Sequence, residues 1–277
     1  MLRKWPRCLA SKTSGSGLLS KGGTSLQREA PALVVFVAPQ GESGARVHML
    51  TEADGLVRAL AYGGASRAGR ALWQPGNVVK ARLTQRGEGA PIRVSGELLY
   101  GCAARILDMP LALAMMQSVC VLADATLPEG EPCPAFFGAT LKLLSFIGYS
   151  PDVAEQTGLP NYIEWELALL DVLGFGLDLS ACAVTGQTQD LAYVSPRTGR
   201  AVSVAGAGEW KDRLLPLPAF LRDPAQEGSW AEWRAGLQLS GHFLARDAFG
   251  QRHLPLPAAR QRLLARLEKL QAHTNQP

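Results

Sequence analysis

The sequence predicts an α+β protein in which a five-stranded β-barrel of the OB type precedes an α-helical domain. Short strand-like segments alternate with turn residues as far as Gly101, and amphipathic helices follow. The first domain is taken to end at residue 107. A loop-rich, strand-poor stretch at about 178–208 interrupts the helices. We therefore expect domains at 29–107 and 108–277, preceded at 1–28 by a basic extension of disordered composition.

Five segments of the first domain have the composition of strands, and turn residues separate them. They are Leu33–Ala38, Ala45–Thr51, Leu56–Ala61, Asn77–Arg86 and Ile92–Leu99. One long connection, 62–76, follows the third strand. This arrangement favours a closed OB barrel, since closure removes sheet edges. An SH3-like barrel or half of a sandwich has the same periodicity and stays an alternative.

Helical periodicity and proline at first-turn positions predict five helices in the second domain. They are Pro110–Ala125, Pro134–Ile147, Pro160–Leu173 with Gly174 as its cap, a helix from the capping pair Ser229 and Glu232 to about Phe249, and Ala258–Ala272. In the last helix, four leucines are expected to be buried and four basic residues to face solvent: Arg260, Arg262, Arg266 and Lys269.

The charge is distributed unevenly along the chain. Residues 1–28 hold six basic and no acidic side chains, residues 29–107 hold nine and six, and residues 108–277 hold thirteen and eighteen. The net charges are therefore +6, +3 and −5. A polyanionic partner is expected to bind the first domain rather than the acidic remainder.

Several features predict a cytoplasmic protein without a membrane span. The longest uncharged apolar stretch, 109–123, is shorter than the ~20 residues of a spanning helix. The five cysteines are odd in number and form no C-x-x-C pair, which argues against a disulfide framework and a cysteine zinc site. The basic extension resembles a transit peptide in composition, but a flexible extension or an alternative start is favoured.

Catalytic motifs are absent from the sequence. It contains no Gly-Lys dipeptide, no complete G-x-G-x-x-G and no G-x-S-x-G, and the four histidines have no metal-ligand spacing. Glu164 and Glu166 are two residues apart, so they are interpreted as solvated helix charges rather than an acid/base pair. We predict no catalytic residue and no enzyme activity. A nuclease whose carboxylates converge only in the fold is the least favoured alternative.

Basic and aromatic residues of the first domain form the candidate nucleic-acid site. The Gly-rich segment 63–70 is expected to be a phosphate-binding loop, and two aromatic residues flank it as base-stacking candidates. The alternative is that the charges solvate the surface and that Trp73 caps the barrel. The predicted DNA-binding residues are Arg46, Arg58, Arg67, Arg70, Lys80, Arg82, Arg93, Tyr62 and Trp73.

Several segments resemble the bacterial RecO family of DNA repair proteins, particularly its alphaproteobacterial members. In the second domain these are 175–186, 190–203 and 211–221; in the first they are 39–43, 50–55, 62–66 and 74–77. The resemblance covers roughly residues 29–245. It implies an OB barrel followed by a helical domain with an embedded zinc-finger-like insertion.

The resemblance also implies a departure from the zinc-binding members of this family. Those hold zinc with two C-x-x-C pairs, whereas here Cys182 matches the first cysteine, Thr185 the second, and Ser203 and Gly206 lie near the second pair. One ligand of four cannot hold zinc. We expect no metal or other cofactor, and we expect Cys182 to be a buried, small apolar residue.

The activity implied by the resemblance is recombination mediation. Members of the family bind single- and double-stranded DNA, anneal complementary strands without ATP, and act with RecR and RecF to load RecA on strands covered by single-strand binding protein. The tail of that protein is expected to bind between the helices beginning at Pro110 and Pro160, near Lys142. The alternative is a non-catalytic adaptor whose barrel binds protein but not DNA.

Overall fold

The computed structural model describes residues 26–223, 225–226 and 228–274. These residues divide into two compact units. The barrel unit comprises 26–108 and 119–149, and the helical unit comprises 109–118 and the described residues from 150 onward. No helix in these described ranges is long and apolar enough to cross a bilayer.

Five strands close into a ring, as the sequence predicts. The strands are β1 (Leu26–Gln40), β2 (Gly44–Thr51), β3 (Gly55–Ala61), β4 (Asn77–Gln85) and β5 (Arg93–Gly101). Their order around the ring is β1-β2-β3-β5-β4, and β4 pairs with β1 to close it. The β3–β5 pair is parallel, whereas the others are antiparallel. This order is OB-like, and helix α1 (Arg67–Leu72) lies in the connection between β3 and β4.

The first strand begins earlier than predicted. Residues 26–28, which the sequence assigned to the disordered extension, pair with 83–85 of β4. Backbone pairing needs no apolar alternation, so this part of β1 has no hydrophobic pattern to reveal it. The rest of the predicted extension, residues 1–25, lies outside the described residues.

Three helices complete the barrel unit: α2 (Cys102–Arg105), the second half of α3 (Pro110–Thr126) and α4 (Pro134–Tyr149). One of the four histidines joins α3 to the barrel. His48 of β2 is buried, and its Nδ1 lies 2.5 Å from Asp124 Oδ1. The other ring nitrogen, Nε2, is buried and has no hydrogen-bond partner among the described residues, so only one of the two nitrogens of His48 is paired.

The helical unit contains α5 (Pro151–Val172), α6 (Val204–Ala207), α7 (Trp230–Phe243) and α8 (Ala258–Thr274). A three-stranded antiparallel sheet lies among them, built of β6 (Leu191–Val194), β7 (Ala201–Ser203) and β8 (Leu215–Pro216). Ser229 and Glu232 form the predicted capping box of α7, and Gly174 follows α5 with a positive φ of 85°.

Two sequence assignments in this unit are wrong. The segment 178–208 is not strand-poor, because β6 and β7 lie in it and bury Leu191, Val194 and Val202. Helix α5 begins at Pro151, and Pro160 lies inside it. An internal proline normally disfavours a helix, but here burial of the side chains on either side of Pro160 stabilises the continuous helix.

Glu166 and Arg260 are buried, although the sequence analysis placed both in solvent. Glu166 is 0% exposed and Arg260 is 1% exposed, and they form an ion pair. The helical period explains the error, because Arg260 lies three and seven residues before Leu263 and Leu267, on their face of α8. Glu166 also accepts hydrogen bonds from Tyr162 and Ser240.

Candidate nucleic-acid interface

Two exposed arginines lie on either side of one barrel strand. In the sheet register, Arg46 of β2 pairs with Leu60 of β3, and Leu60 pairs with Arg93 of β5. Residues directly opposite one another project from the same face of a sheet, which is here the outer face of the barrel. Adjacent strands are ~4.8 Å apart, so the two arginine backbones are about 10 Å apart. One strand of nucleic acid is long enough to contact both.

An exposed aromatic ring adjoins this arginine pair. Tyr62 follows β3 directly, is 67% exposed, and has its ring centroid 5.0 Å from the guanidinium carbon of Arg93. The guanidinium carbon of Arg46 likewise lies 5.8 Å from the ring centroid of Phe36. These cation–π contacts restrain both guanidinium groups while leaving Tyr62 accessible. We call Arg46, Leu60, Tyr62 and Arg93 the Arg46–Arg93 surface.

The seven predicted basic residues differ in their partners. Within the described part of the chain, no carboxylate pairs with Arg46, Arg67, Arg70 or Arg93. Lys80 and Arg82 both contact Glu29, at Nζ–Oε2 and Nη2–Oε1 distances of 3.2 and 2.5 Å. Arg58 contacts Glu129 at 3.2 Å. Of these seven residues, the four without a carboxylate partner therefore lie on the Arg46–Arg93 surface and on α1.

Glu29 reduces the charge available on β4. Hydrogen bonds from Arg82 and Lys80, together with their positive charges, hold the pKa of Glu29 below its ordinary value. The carboxylate therefore stays ionised and offsets one of the two cations. Exposed ion pairs contribute only about 0–1 kcal/mol, so Lys80 and Arg82 can still exchange Glu29 for a phosphate.

The Gly-rich segment 63–70 is not an open loop. It forms a tight turn and then the first part of α1, whose N-cap is Ser66. Its backbone N–H groups at 64, 65, 66 and 69 donate within the barrel unit, to Ala61, Ser43, Gly63 and the Ser66 hydroxyl. These groups are therefore not free to bind phosphate. Arg67 and Arg70 remain exposed on α1, so their side chains, not the backbone, are the candidates.

Trp73 does not present its ring to solvent, so its assignment as a stacking residue is wrong. It is 3% exposed and belongs to the apolar core of the barrel. Gly96 of β5 makes this possible, because a β-carbon there would lie 3.3 Å from the Trp73 ring. The alternative reading, in which Trp73 caps the barrel, describes the structure better.

The two helices predicted to form a docking groove near Lys142 pack against each other in the described part of the chain. Lys142 is exposed on α4. The faces of α3 and α5 that were expected to form the groove are in direct contact in the helical unit: the Tyr162 and Ser118 hydroxyl oxygens are hydrogen-bonded at 2.6 Å, and a β-carbon on Gly158 would lie 3.1 Å from Met115. Lys142 therefore keeps its charge and exposure but loses the predicted docking groove.

The residues at the family's zinc-ligand positions lie together around one thiol. Cys182 is buried, and its sulfur accepts hydrogen bonds from the Ser203 N–H (3.2 Å), the Ser203 hydroxyl (3.3 Å) and the Thr185 N–H (3.4 Å). Burial raises the pKa of Cys182, but these hydrogen bonds outweigh it and lower the pKa to about 6. Cys182 is thus buried as expected, yet it is more polar than a small apolar residue.

This donor set does not fit zinc. One thiol and two hydroxyls replace four thiolates, and a β-carbon on Gly206 would lie only 2.8 Å from the Cys182 sulfur. No group of three His, Cys, Asp or Glu side chains that could hold a metal occurs among the described residues. The hydrogen bonds to Cys182 join the β6–β7 hairpin to the preceding turn instead.

Sequence reasoning missed one further group of candidates. Tyr100, Arg105 and Tyr149 lie together at the other end of β5. Local sequence could not reveal this group, because Tyr149 is far from the other two along the chain. The only sign of this group in the sequence was that a basic residue, Arg105, and an aromatic residue, Tyr149, lie at the ends of elements.

Comparisons with known proteins agree with this architecture. A model of the recombination protein O N-terminal region matches residues 26–95, and a model of its C-terminal region matches residues 108–255. DNA repair protein RecO of Gluconacetobacter diazotrophicus is 54% identical over 89% of this chain and 97% of its own length.

Two other relatives carry the same name. The protein of Acidiphilium cryptum is 47% identical over 86% of this chain and 94% of its own, and that of Rhodospirillum centenum is 44% identical over 88% and 94%. These matches extend over the barrel, the helices and the insertion. The chain therefore belongs to the RecO family, whose members are non-catalytic recombination mediators in DNA repair.

Proposed function

We propose that this protein binds single- and double-stranded DNA through the Arg46–Arg93 surface and anneals complementary strands without ATP. The observation that carries the proposal is the alignment of Arg46 and Arg93 across Leu60, with the exposed Tyr62 ring beside them. Two cations without carboxylate partners in the described chain suit a phosphate backbone, and an exposed ring suits an unstacked base.

The annealing step needs only electrostatics and stacking. Two DNA strands repel each other through their phosphates, and a cationic surface that neutralises part of both charges raises their rate of encounter. Arg67 and Arg70 on α1 would extend the cationic surface, and Lys80, Arg82 and Arg58 would contribute after exchanging their carboxylates for phosphate. No base is read, so annealing is independent of sequence.

A wider proposal, on the cellular role of the protein, follows from its membership of the RecO family. We propose that the protein acts in the cytoplasm with RecR, and also RecF, to load RecA on strands covered by single-strand binding protein. The predicted second domain, 108–277, would provide protein contacts, because its net charge of −5 disfavours DNA. Lys142 is the proposed charge partner for the acidic tail of single-strand binding protein, on the exposed surface of α4.

We also propose that 178–208 is a zinc-finger-like insertion that has lost its metal. The hydrogen bonds around Cys182 support this, because they connect the positions that zinc would otherwise join. The proposed division into an extension, a barrel domain and a helical domain follows 1–28, 29–107 and 108–277, adjusted at its start by the three residues that pair in β1.

Annealing of two end-labelled complementary oligonucleotides tests the function. The purified protein is used without ATP and with chelator, over a salt titration. Arg46→Ala/Arg93→Ala is compared with Arg262→Ala/Arg266→Ala, which removes the same net charge from two exposed positions of α8. We expect rapid annealing that weakens with salt, and a salt slope for single-strand binding that is shallower by about 1.4 only in the Arg46→Ala/Arg93→Ala protein.

The same assay can reject the proposal. Folded protein that neither binds nor anneals oligonucleotides at low salt would favour the adaptor, whose barrel binds protein. Equal slopes in the two double variants would show that the Arg46–Arg93 surface is not the DNA site. Chelator-sensitive loss of the labelled strand would instead indicate a nuclease.

A further inference from the structure

A stacked pair of tyrosines lies at the end of β5 opposite to Arg93. Tyr100 and Tyr149 have ring centroids 4.8 Å apart and an interplanar angle of 24°. The guanidinium carbon of Arg105 lies 5.2 and 5.1 Å from the two centroids. Tyr149 is nevertheless 65% exposed, so one ring covers only part of its surface. We call this group the Tyr100–Tyr149 stack.

Local packing holds the stack in place. Tyr149 is the last residue of α4, and Gly148 before it leaves room for Tyr100, because a β-carbon at Gly148 would overlap the Tyr100 hydroxyl. That hydroxyl is buried and has no hydrogen-bond partner within the described chain. A buried hydroxyl without a partner is unfavourable, so the position of the Tyr100 ring is maintained by its packing and its stacking on Tyr149.

The chemistry of the stack suits a nucleobase beside a phosphate. A nucleobase can stack on the exposed surface of Tyr149 as a third aromatic ring beside the Tyr100–Tyr149 stack. Arg105 is exposed and has no carboxylate partner among the described ion pairs, so its charge is available to the phosphate that accompanies the base. We propose that Tyr149 is a second base-stacking position for single-stranded DNA and that Arg105 contacts the adjacent phosphate; this rests on the proposed DNA binding.

One rigid strand connects the two stacking positions. Arg93, which contacts Tyr62, and Tyr100 are both in β5, and seven residue steps at ~3.3 Å separate them by at most about 23 Å, because the pairing of β5 with β4 is irregular just before Tyr100. At the ~3.4 Å spacing of stacked nucleotides this corresponds to about seven nucleotides, and fewer in an extended strand. Short oligonucleotides can therefore occupy one position, whereas longer ones can occupy both.

The surface between the two positions adds little net charge. Lys80 and Arg82 of β4 pair in register with Glu97 and Ser95 of β5, and Glu29 contacts both cations. The positive charges of Lys80 and Arg82 are thus offset by the negative charges of Glu29 and Glu97. We expect most of the affinity of a long strand to come from its contacts at the two ends of β5.

Binding of fluorescent oligothymidines of about four and fifteen nucleotides, the range of sites on OB folds, tests the second position. Stacking of one base predicts that Tyr149→Ala weakens the long oligonucleotide by about 5- to 150-fold and leaves the short one unchanged. Tyr149→Phe should retain affinity because it keeps the ring. Leu107→Ala is the matched control, since Leu107 is 66% exposed in the barrel unit but offers no ring.

A second measurement uses the unsubstituted protein, so that it does not depend on how a variant folds. Oligonucleotides carrying 5-iodouracil are photocrosslinked and the attached residues are identified by mass spectrometry. Crosslinks at Tyr149 with the long oligonucleotide support the proposal, and crosslinks confined to Tyr62 overturn it.

The outcomes separate this inference from the proposed function. Equal binding of the long oligonucleotide by Tyr149→Ala and Leu107→Ala overturns only the second position. Unchanged binding of both oligonucleotides by Arg46→Ala/Arg93→Ala overturns the Arg46–Arg93 surface instead.

Discussion

Removing Arg260 should destabilise the helical unit strongly, although the residue is far from the proposed DNA site in sequence and lies beyond the matched family region. Arg260 Nη2 donates to Glu166 Oε2 at 2.9 Å and to the Leu237 carbonyl at 2.7 Å. In Arg260→Leu, Glu166 would remain buried without a cation, and the Leu237 carbonyl would lose this donor. The change therefore tests whether α8 is held by this buried pair.

The expected magnitude follows from the burial of both partners. Breaking a fully buried ion pair by removing one side chain lowers the free energy of unfolding by about 3–5 kcal/mol. Tyr162 and Ser240 still donate to Glu166, at 2.6 and 2.5 Å, so the lower half of this range is expected. For a unit of this size the corresponding decrease in Tm is roughly 6–16 °C.

A double variant isolates the uncompensated charge. Arg260→Leu/Glu166→Gln has no buried carboxylate and keeps one acceptor oxygen, in place of the two that accept from Tyr162 and Ser240. We expect it to be more stable than Arg260→Leu, with a residual loss of about 1–2 kcal/mol from the Leu237 carbonyl and imperfect packing. Arg262→Leu is the control, because it makes the same substitution at an exposed position of α8.

Urea unfolding followed by tryptophan fluorescence and circular dichroism measures these differences. Unfolding of the helical unit changes the fluorescence of Trp165 and Trp233, because both side chains are buried in the folded protein. If Arg260→Leu were as stable as Arg262→Leu, or if the double variant were no more stable than Arg260→Leu, the buried-charge argument would be refuted.

Three further predictions concern other parts of the fold. Trp73→Ala should lower the free energy of unfolding by about 3–5 kcal/mol, because the ring fills the barrel core; thermal unfolding measures it. The pKa of Cys182 is about 6 in the folded protein, instead of the ordinary 9 that applies to the unfolded chain. Ionisation of this thiol therefore stabilises the fold fully above pH 9, and this contribution is lost as the pH falls through 6. Thiolate absorbance at 240 nm should therefore titrate near pH 6 in the native protein and not in Cys182→Ala. Tyr100→Phe should be neutral or stabilising, because it removes a buried hydroxyl without a partner, and it should reduce the destabilisation caused by Gly148→Ala in a thermal-shift double-mutant cycle.

Each of these has a contradicting result. A stable Trp73→Ala protein with weakened DNA binding would restore Trp73 as a stacking residue. A native thiolate transition only above pH 9 would contradict the hydrogen-bonded Cys182. Additive effects of the Tyr100 and Gly148 substitutions would mean that the hydroxyl does not limit the space at Gly148.

Much of the architecture could be predicted from local pattern. The five strands, the helices at Pro110 and Pro134 and the capping box at Ser229 each depend on residues close together in sequence, and all of them occur near their predicted positions. The α5 start was wrong because Pro160 resembles a helix beginning, and only burial of the neighbouring residues shows that the helix continues through it.

The sequence by itself determined the fold class and the concentration of basic residues in the first domain, because composition and short-range periodicity carry that information. The family followed from the resemblance of several segments to RecO proteins. Only the tertiary structure decided which of those residues form a site. Pairing of β2, β3 and β5 aligned Arg46 with Arg93, Glu29 paired with Lys80 and Arg82, and the barrel core enclosed Trp73. The same holds for Glu166 and Arg260, which are 94 residues apart. Such contacts depend on strand register and helix packing, which unite residues distant in sequence and therefore leave no local pattern.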